Sequence, residues 1–275
     1  MKNITKRICS AAVLILILIY LTQDSTANLA KIVVATLLSL IIVWEYSRLF
    51  KSRIYQALFQ ILFVSFVLSA PYLTGILEKT SNYFFGLLVF AWVVILFRVL
   101  TYKKKNIDDF LVFIFGYLTL LPFVGSLFTI LIYPGIFLYV VITVSIADSS
   151  AYFVGRRVGK TSLLPNISPG KTIEGFVGSL IITPIISSLI VYLFYGEVVI
   201  GFLFIGFFVT LISVIGDLFF SLLKRNKNIK DSSNLIPGHG GFIDLLDGTI
   251  AVLPLLAFLF FKVSYLSMVL SVISF

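Results

Sequence analysis

Long unbroken apolar stretches, separated by short polar segments, set the pattern of this chain. The runs fall at about 8–22, 29–47, 56–77, 83–100, 110–132, 135–154, 175–195, 198–222 and 249–272. Most of them approach the ~20 residues a helix needs to cross a ~30 Å hydrocarbon core. They are continuous rather than alternating, which predicts helices and excludes the strands of an outer-membrane barrel. Only helices satisfy their own backbone within lipid. The expected fold is therefore an all-α polytopic membrane protein with about nine transmembrane helices. It divides into N-terminal membrane helices, 1–133, and a C-terminal membrane region, 134–275. Two inter-span segments, 155–174 and 223–248, are longer than the rest, and loops of that kind carry function more often than short ones. Internal repeats and low-complexity segments are absent from the sequence.

Composition agrees with the pattern: 60% of residues are hydrophobic, 12% are charged, and the mean hydropathy is +1.11. A net charge of +9 would suggest nucleic acid in a soluble protein. Here the basic residues follow the loops instead, and no nucleic-acid partner is expected. Eighteen of the 21 lysines and arginines fall in segments on one side of the membrane, leaving Lys31, Lys79 and Lys262. The positive-inside rule then gives a cytoplasmic N-terminus and an outside C-terminus. The first run also reads as a secretory signal, with Ser25-Thr26-Ala27 as its small-residue site, but four later loops set the same sidedness. Cys9, the single cysteine, offers neither an internal disulfide nor a multi-Cys metal site. Asn3 and Asn166 match the glycosylation pattern by chance, since both fall on the expected cytoplasmic side.

The twelve carboxylates are few enough to place one by one. Asp24, Glu78, Glu197, Asp108 and Asp109 read as solvated, and Glu45 as snorkelling or pairing with Arg48. Asp148 and Asp217 differ, because each sits within the last two turns of an apolar span. A carboxylate there is costly unless it is paired, protonated or metal-bound, so each is either a helix-packing partner of a nearby cation or a functional residue. Asp217 shares a helix face with Ser221 and Lys224. Asp244 and Asp247, spaced i,i+3, lie on one side of a helix leading into the last span and repel unless a cation lies near. With Asp217 they form a hard-oxygen set suited to Mg²⁺ rather than zinc. His239, the only histidine, sits among Gly238, Gly240 and Gly241. That stretch reads either as a tight turn or as backbone approaching a ligand.

The segment "GRRVGKTSLLPNISPGKTIEG" is not a P-loop: Gly155 and Gly159 are separated by three residues where the motif needs four. Its glycines, Ser168, Thr172 and the cations Arg156, Arg157, Lys160 and Lys171 describe either a polyphosphate cradle or a basic segment drawn to anionic lipid.

"SLLKRNKNIKDSSNLIPGHGGFIDLLD", Ser221 to Asp247, resembles the signature of the phosphatidate cytidylyltransferases, also called CDP-diacylglycerol synthases. Ser221, Lys224, Arg225, Lys230, Asp231, Ser233, Pro237, His239, Gly240, Gly241, Phe242, Asp244 and Asp247 fall in register. "ADSSAYFVGRRVGK" and "SPGKTIEG" look like the same family's upstream region. One position departs: Leu245 stands where that family usually carries arginine between the two acids. The resemblance covers about 145–250 and implies transfer of a cytidylyl group from CTP to phosphatidic acid in phospholipid biosynthesis. It implies Mg²⁺, with room for a two-metal site. The expected metal ligands are Asp217, Asp244 and Asp247. The expected catalytic residues are Asp217, Asp244, Lys224, Arg225 and His239, with Asp148, Ser168, Lys171, Lys160 and Lys230 at the nucleotide and its phosphates. Expected partners are CTP, phosphatidic acid, the bilayer and a second copy in a homodimer. The expected location is the bacterial cytoplasmic membrane with the site on the cytoplasmic side. The rival readings are a cation-coupled secondary transporter using Asp148 and Asp217, a CTP-dependent lipid kinase, and a non-catalytic descendant suggested by Leu245.

Overall fold

A computed structural model describes residues 28–103, 106–130, 133–196, 200–238, 240–262, 269 and 271–273. In chain order the elements are α1 (Asn28–Ser47), α2 (Arg53–Leu100), α3 (Asp109–Ile130), α4 (Pro134–Val158), β1 (Ser162–Leu164), β2 (Ser168–Thr172), α5 (Ile173–Tyr195), α6 (Gly201–Asn226) and α7 (Phe242–Lys262). Six candidate membrane spans lie on α1 and α3 to α7. The expected first span, 8–22, lies outside the described residues. Where the pattern gives separate spans at 56–77 and 83–100, the backbone is helical throughout α2. Its apolar arms, Arg53–Ser69 and Leu88–Leu100, reach one aromatic cluster. Phe59 stacks on Tyr46 at 5.1 Å, Tyr46 meets Phe220 at 6.4 Å, Phe220 meets Phe219 at 5.2 Å, and Trp92 meets Phe219 at 6.1 Å. The Tyr46 hydroxyl, buried in this cluster, donates to the Val112 carbonyl at 2.7 Å.

Polarity is arranged for a lipid solvent. Ile181, Ile185, Leu189 and Leu193 form an i,i+4 stripe on α5 that is 50–69% exposed, while Ser179, Thr183 and Ser187 on the same helix are buried. Ser150 of α4 and Thr183 of α5 meet hydroxyl to hydroxyl at 3.2 Å. Small residues let backbones approach where lipid supplies no hydrophobic drive for helix association. An exposed apolar stripe of that size would be an aggregation hazard in water and is ordinary against acyl chains.

The segment 155–174 departs from the all-α expectation. After Val158 the chain forms an antiparallel hairpin, with Ser162 opposite Thr172 and Leu164 opposite Ser168. Thr172 then caps α5, its hydroxyl accepting from the Gly175 amide at 3.1 Å. The ends of α1, α3 and α6 are tied together beside their loops. Asn226 accepts from the Ile107 amide at 2.8 Å and donates to its carbonyl at 3.1 Å. Lys227 Nζ donates to the Phe50 carbonyl at 2.6 Å. Asp109, expected to be solvated, accepts the Lys51 and Ser52 amides at 2.9 and 2.6 Å.

Candidate active site

Close helix packing places the carboxylates. A Cβ on Gly216 of α6 would lie 2.6 Å from the Asp247 carbonyl and 2.8 Å from the Ala251 Cβ. One on Gly248 of α7 would lie 3.0 Å from both Ser213 and Val144. These two glycines let α4, α6 and α7 meet, and the residue beside each is an aspartate, Asp217 or Asp247. On the other side Gly175 of α5 packs on α4, where a Cβ would lie 2.6 Å from the Ala151 carbonyl. Thr172 fills the space beside Gly155 and Gly159, so the hairpin sits against the end of α4.

This packing leaves a cavity of about 400 Å³ lined by residues that include Asp148, Tyr152, Arg156, Lys171, Phe176 and Asp217. That volume is in the range of small-molecule sites. Lys171, from β2, makes an ion pair and hydrogen bond with Asp217 Oδ2. Ser221 Oγ donates to Asp217 Oδ1 at 3.2 Å. Burial by itself pushes the Lys171 ammonium down. The charges of Asp217 and Asp148, the Asp217 hydrogen bond and the charge of Asp247 more than offset that, and its pKa stands above the ordinary lysine value. Asp217 pairs with this lysine, and the charges of Asp148 and Asp247 also reach it. Asp247 is buried, with Oδ1 accepting its neighbour's amide, Gly248 N, at 2.8 Å.

Asp244 is in a different setting. Its Oδ1 accepts Lys224 Nζ at 2.7 Å, and both side chains are under 10% exposed. Its Oδ2 is approached by the Ser232 amide at 2.7 Å, the Ser232 hydroxyl at 3.0 Å and the Gly241 amide at 2.9 Å. Of the expected metal ligands, Asp217 lines the cavity with Asp148, Asp247 is buried where α7 packs on Gly216, and Asp244 closes a separate lock with Lys224. Among the described residues no three His, Cys, Asp or Glu side chains form a ready-made metal cage.

The remaining expected residues are spread around this site. Arg225 holds the loops, with Nε donating to the Ile167 carbonyl at 3.3 Å and a terminal nitrogen to the Ile229 carbonyl at 3.2 Å. Ser168 opens β2, while Lys160 and Lys230 are exposed. His239 lies outside the described residues. Leu245 is 37% exposed and is not among the cavity-lining residues.

With this geometry in place, the comparisons with known proteins fall in line. The model of the cytidylyltransferase family matches residues 5–263. This chain belongs to the cytidylyltransferase family. Relatives named phosphatidate cytidylyltransferase include one from Haemophilus influenzae, 37% identical over 190 residues, covering 62% of this chain and 66% of the relative. One from Bacillus subtilis is 39% identical over 124 residues, 44% of this chain and 45% of the relative. One from Staphylococcus haemolyticus is 42% identical over 122 residues, 43% and 46% of the two chains. The chain thus spans 66% of the first relative's length and under half of the other two.

In this cytidylyltransferase-family chain, Tyr152 and Ser232 take up places that no sequence signal marks, and Glu45, expected to snorkel or to pair with Arg48, does neither. Arg48 lies over the Trp44 ring at 5.0 Å, and Glu45 turns into the protein. The available signal was a carboxylate inside an apolar span, the same signal that singled out Asp148 and Asp217.

Proposed function

We propose that this chain transfers the cytidylyl group of CTP to phosphatidic acid, giving CDP-diacylglycerol and pyrophosphate. The observation that carries the reading is the cavity beside the hairpin where Asp148 and Asp217 meet Lys171, with the charge of Asp247 reaching the same lysine. A phosphate oxygen of phosphatidic acid attacks the α-phosphorus of CTP. The bond from the α-phosphorus to the bridging oxygen breaks, and pyrophosphate leaves with the electron pair. The attacking oxygen is already anionic, so no serine or histidine nucleophile is needed. What the site must supply is neutralisation and in-line positioning.

The donor set suits a divalent cation. The carboxylates of Asp148, Asp217 and Asp247 outnumber the ammoniums of Lys171 and Lys224 whose charges reach them, and carboxylate oxygens are the ligands Mg²⁺ prefers. Asp217, with Asp148 on the same cavity wall, would hold it, and it would supply charge neutralisation on the triphosphate. Asp244 is already satisfied by four donors and serves the site by holding Lys224. Lys171 contributes a fixed positive charge at the cavity wall. Arg156, whose terminal nitrogen donates to the Tyr152 hydroxyl at 3.1 Å, brings a second cation to the same wall.

The site faces the cytoplasm of a bacterial cell in this reading, with the C-terminus outside. The supporting facts are the basic loops, the bonds tying the ends of α1, α3 and α6 together, and the hairpin at the end of α4. A water-soluble nucleotide meets a lipid headgroup at such a face. Purified protein in detergent, given Mg²⁺, phosphatidic acid and α-labelled CTP, is expected to move label into the lipid phase. Label found only in CDP would indicate a kinase, and absence of Mg²⁺-dependent lipid label would overturn the transferase reading. Asp217→Asn is expected to fold and to lose about 100-fold or more of the turnover.

A further inference from the structure

Glu45 belongs to α1, far in sequence from the signature segment, and is fully buried. Among the described residues no lysine or arginine forms an ion pair with it. All of its acceptor capacity is instead directed at the segment that opens α7. Oε1 accepts the Ser233 hydroxyl at 2.5 Å and the Phe242 amide at 2.9 Å. Oε2 accepts the Ile243 amide at 2.7 Å and is 3.0 Å from the Ser232 hydroxyl. The carboxylate thus occupies the amide-rich start of a helix, where a negative charge is stabilised.

The paired glycines supply a second, independent observation. A Cβ at Gly241 would meet Ser232 Oγ and lie 2.5 and 2.6 Å from the two Glu45 oxygens. A Cβ at Gly240, where φ is +95°, would lie 2.7 Å from Asp244 Oδ2. The two adjacent glycines make room for two carboxylates, one brought from α1 and one from α7.

Ser232 joins those carboxylates. Its hydroxyl oxygen is 3.0 Å from Glu45 Oε2 and 3.0 Å from Asp244 Oδ2, yet it has a single proton to donate. Whatever Glu45 takes from that hydroxyl is withheld from Asp244, and Asp244 in turn holds Lys224. The geometry points to Glu45 as a positioning residue of the cytidylyl-transfer site, acting through Ser232 to set Asp244 and Lys224. This rests on the transferase reading above. Glu45 itself does not line the cavity.

The test compares Glu45→Gln, Ser232→Ala and the double variant. The glutamine amide places a donor against donors on one side of the pocket, so the Phe242 and Ile243 amides are expected to exchange hydrogen faster. That measurement needs no activity, so it separates this inference from the transferase reading, which the wild-type assay tests alone. Turnover of Glu45→Gln is expected to fall about 10–100-fold, as for other supporting contacts, with KM for CTP within about twofold. The double variant is expected to be no more than about twofold slower than the slower single variant, because both changes cut one chain of contacts. Turnover of Glu45→Gln within about twofold of wild type, or fully additive losses in the double variant, would overturn the proposal. If Glu45→Gln does not fold, Ser232→Ala decides, since it leaves the two amide contacts of Glu45 in place. Unchanged turnover in that variant would overturn the proposal equally.

Discussion

Asp217, four residues before the signature segment, and Asp244 within it each pair with a lysine, yet the two aspartates are placed for opposite duties. Asp217 lines the cavity and its lysine arrives from a hairpin; Asp244 is under 10% exposed and its lysine is equally buried. Asp244→Ala would leave Lys224 charged and unpaired in the interior, which costs about 3–5 kcal/mol. Its thermal midpoint is therefore expected to drop well below that of Asp217→Asn, which changes the charge of a side chain that faces a cavity. Equal midpoints would show that Asp244 is not the structural member of the pair. Lys171 carries a pKa above the ordinary lysine value. Its stabilising contribution is fully present below the unfolded value of about 10.4 and is lost only as pH rises through the higher folded value. The stability gap between wild type and Lys171→Met is therefore expected not to close from pH 7 to 9; a gap that closes over this range would contradict it. Leu245→Arg restores the residue that the related signature leads one to expect. Leu245 is partly exposed and away from the cavity lining, so the change is expected to alter turnover by no more than about twofold, the scale of ordinary surface substitutions. A tenfold gain would place that arginine in the chemistry.

Between elements, the site depends on glycines that set interhelical distance. Gly216 faces the α7 backbone rather than a side chain that could swing away. An alanine there must push α6 from α7, a change of the kind that costs about 1–3 kcal/mol. Gly216→Ala is expected to lower both the thermal midpoint and turnover, since it widens the gap between the stretches carrying Asp217 and Asp247. Retained turnover would mean that the two aspartates act separately. The hairpin was legible only as a glycine-rich basic loop. Strands of three and five residues carry no periodic apolar signal, and their register is fixed by Thr172 packing between Gly155 and Gly175. The start of α7 matches the expectation of a helix that carries Asp244 and Asp247 into the last span. The amides at its opening are satisfied by Glu45 and Asp244, which lets the helix begin at Phe242.

For the whole molecule, sidedness is the property most open to direct measurement. In a Cys9→Ser background, cysteines at Lys51 and Gly170 are expected to react with an impermeant thiol reagent in inverted vesicles and not in intact cells. Labelling of Gly170→Cys from outside would reverse the topology and with it the access route for CTP in the proposed reaction. The sequence by itself determined that this is a helical membrane protein, because burial in lipid depends on local apolar content. It also singled out Asp148 and Asp217, because a carboxylate in an apolar helix demands a partner. Which partner it finds was a tertiary decision. Glu45 reaches residues nearly two hundred positions away, Lys171 crosses from a hairpin to α6, and Asp244 turns to Lys224 rather than to Asp217. A buried charge is satisfied by the donors that packing brings within about 3 Å, and spacing along the chain cannot supply that distance.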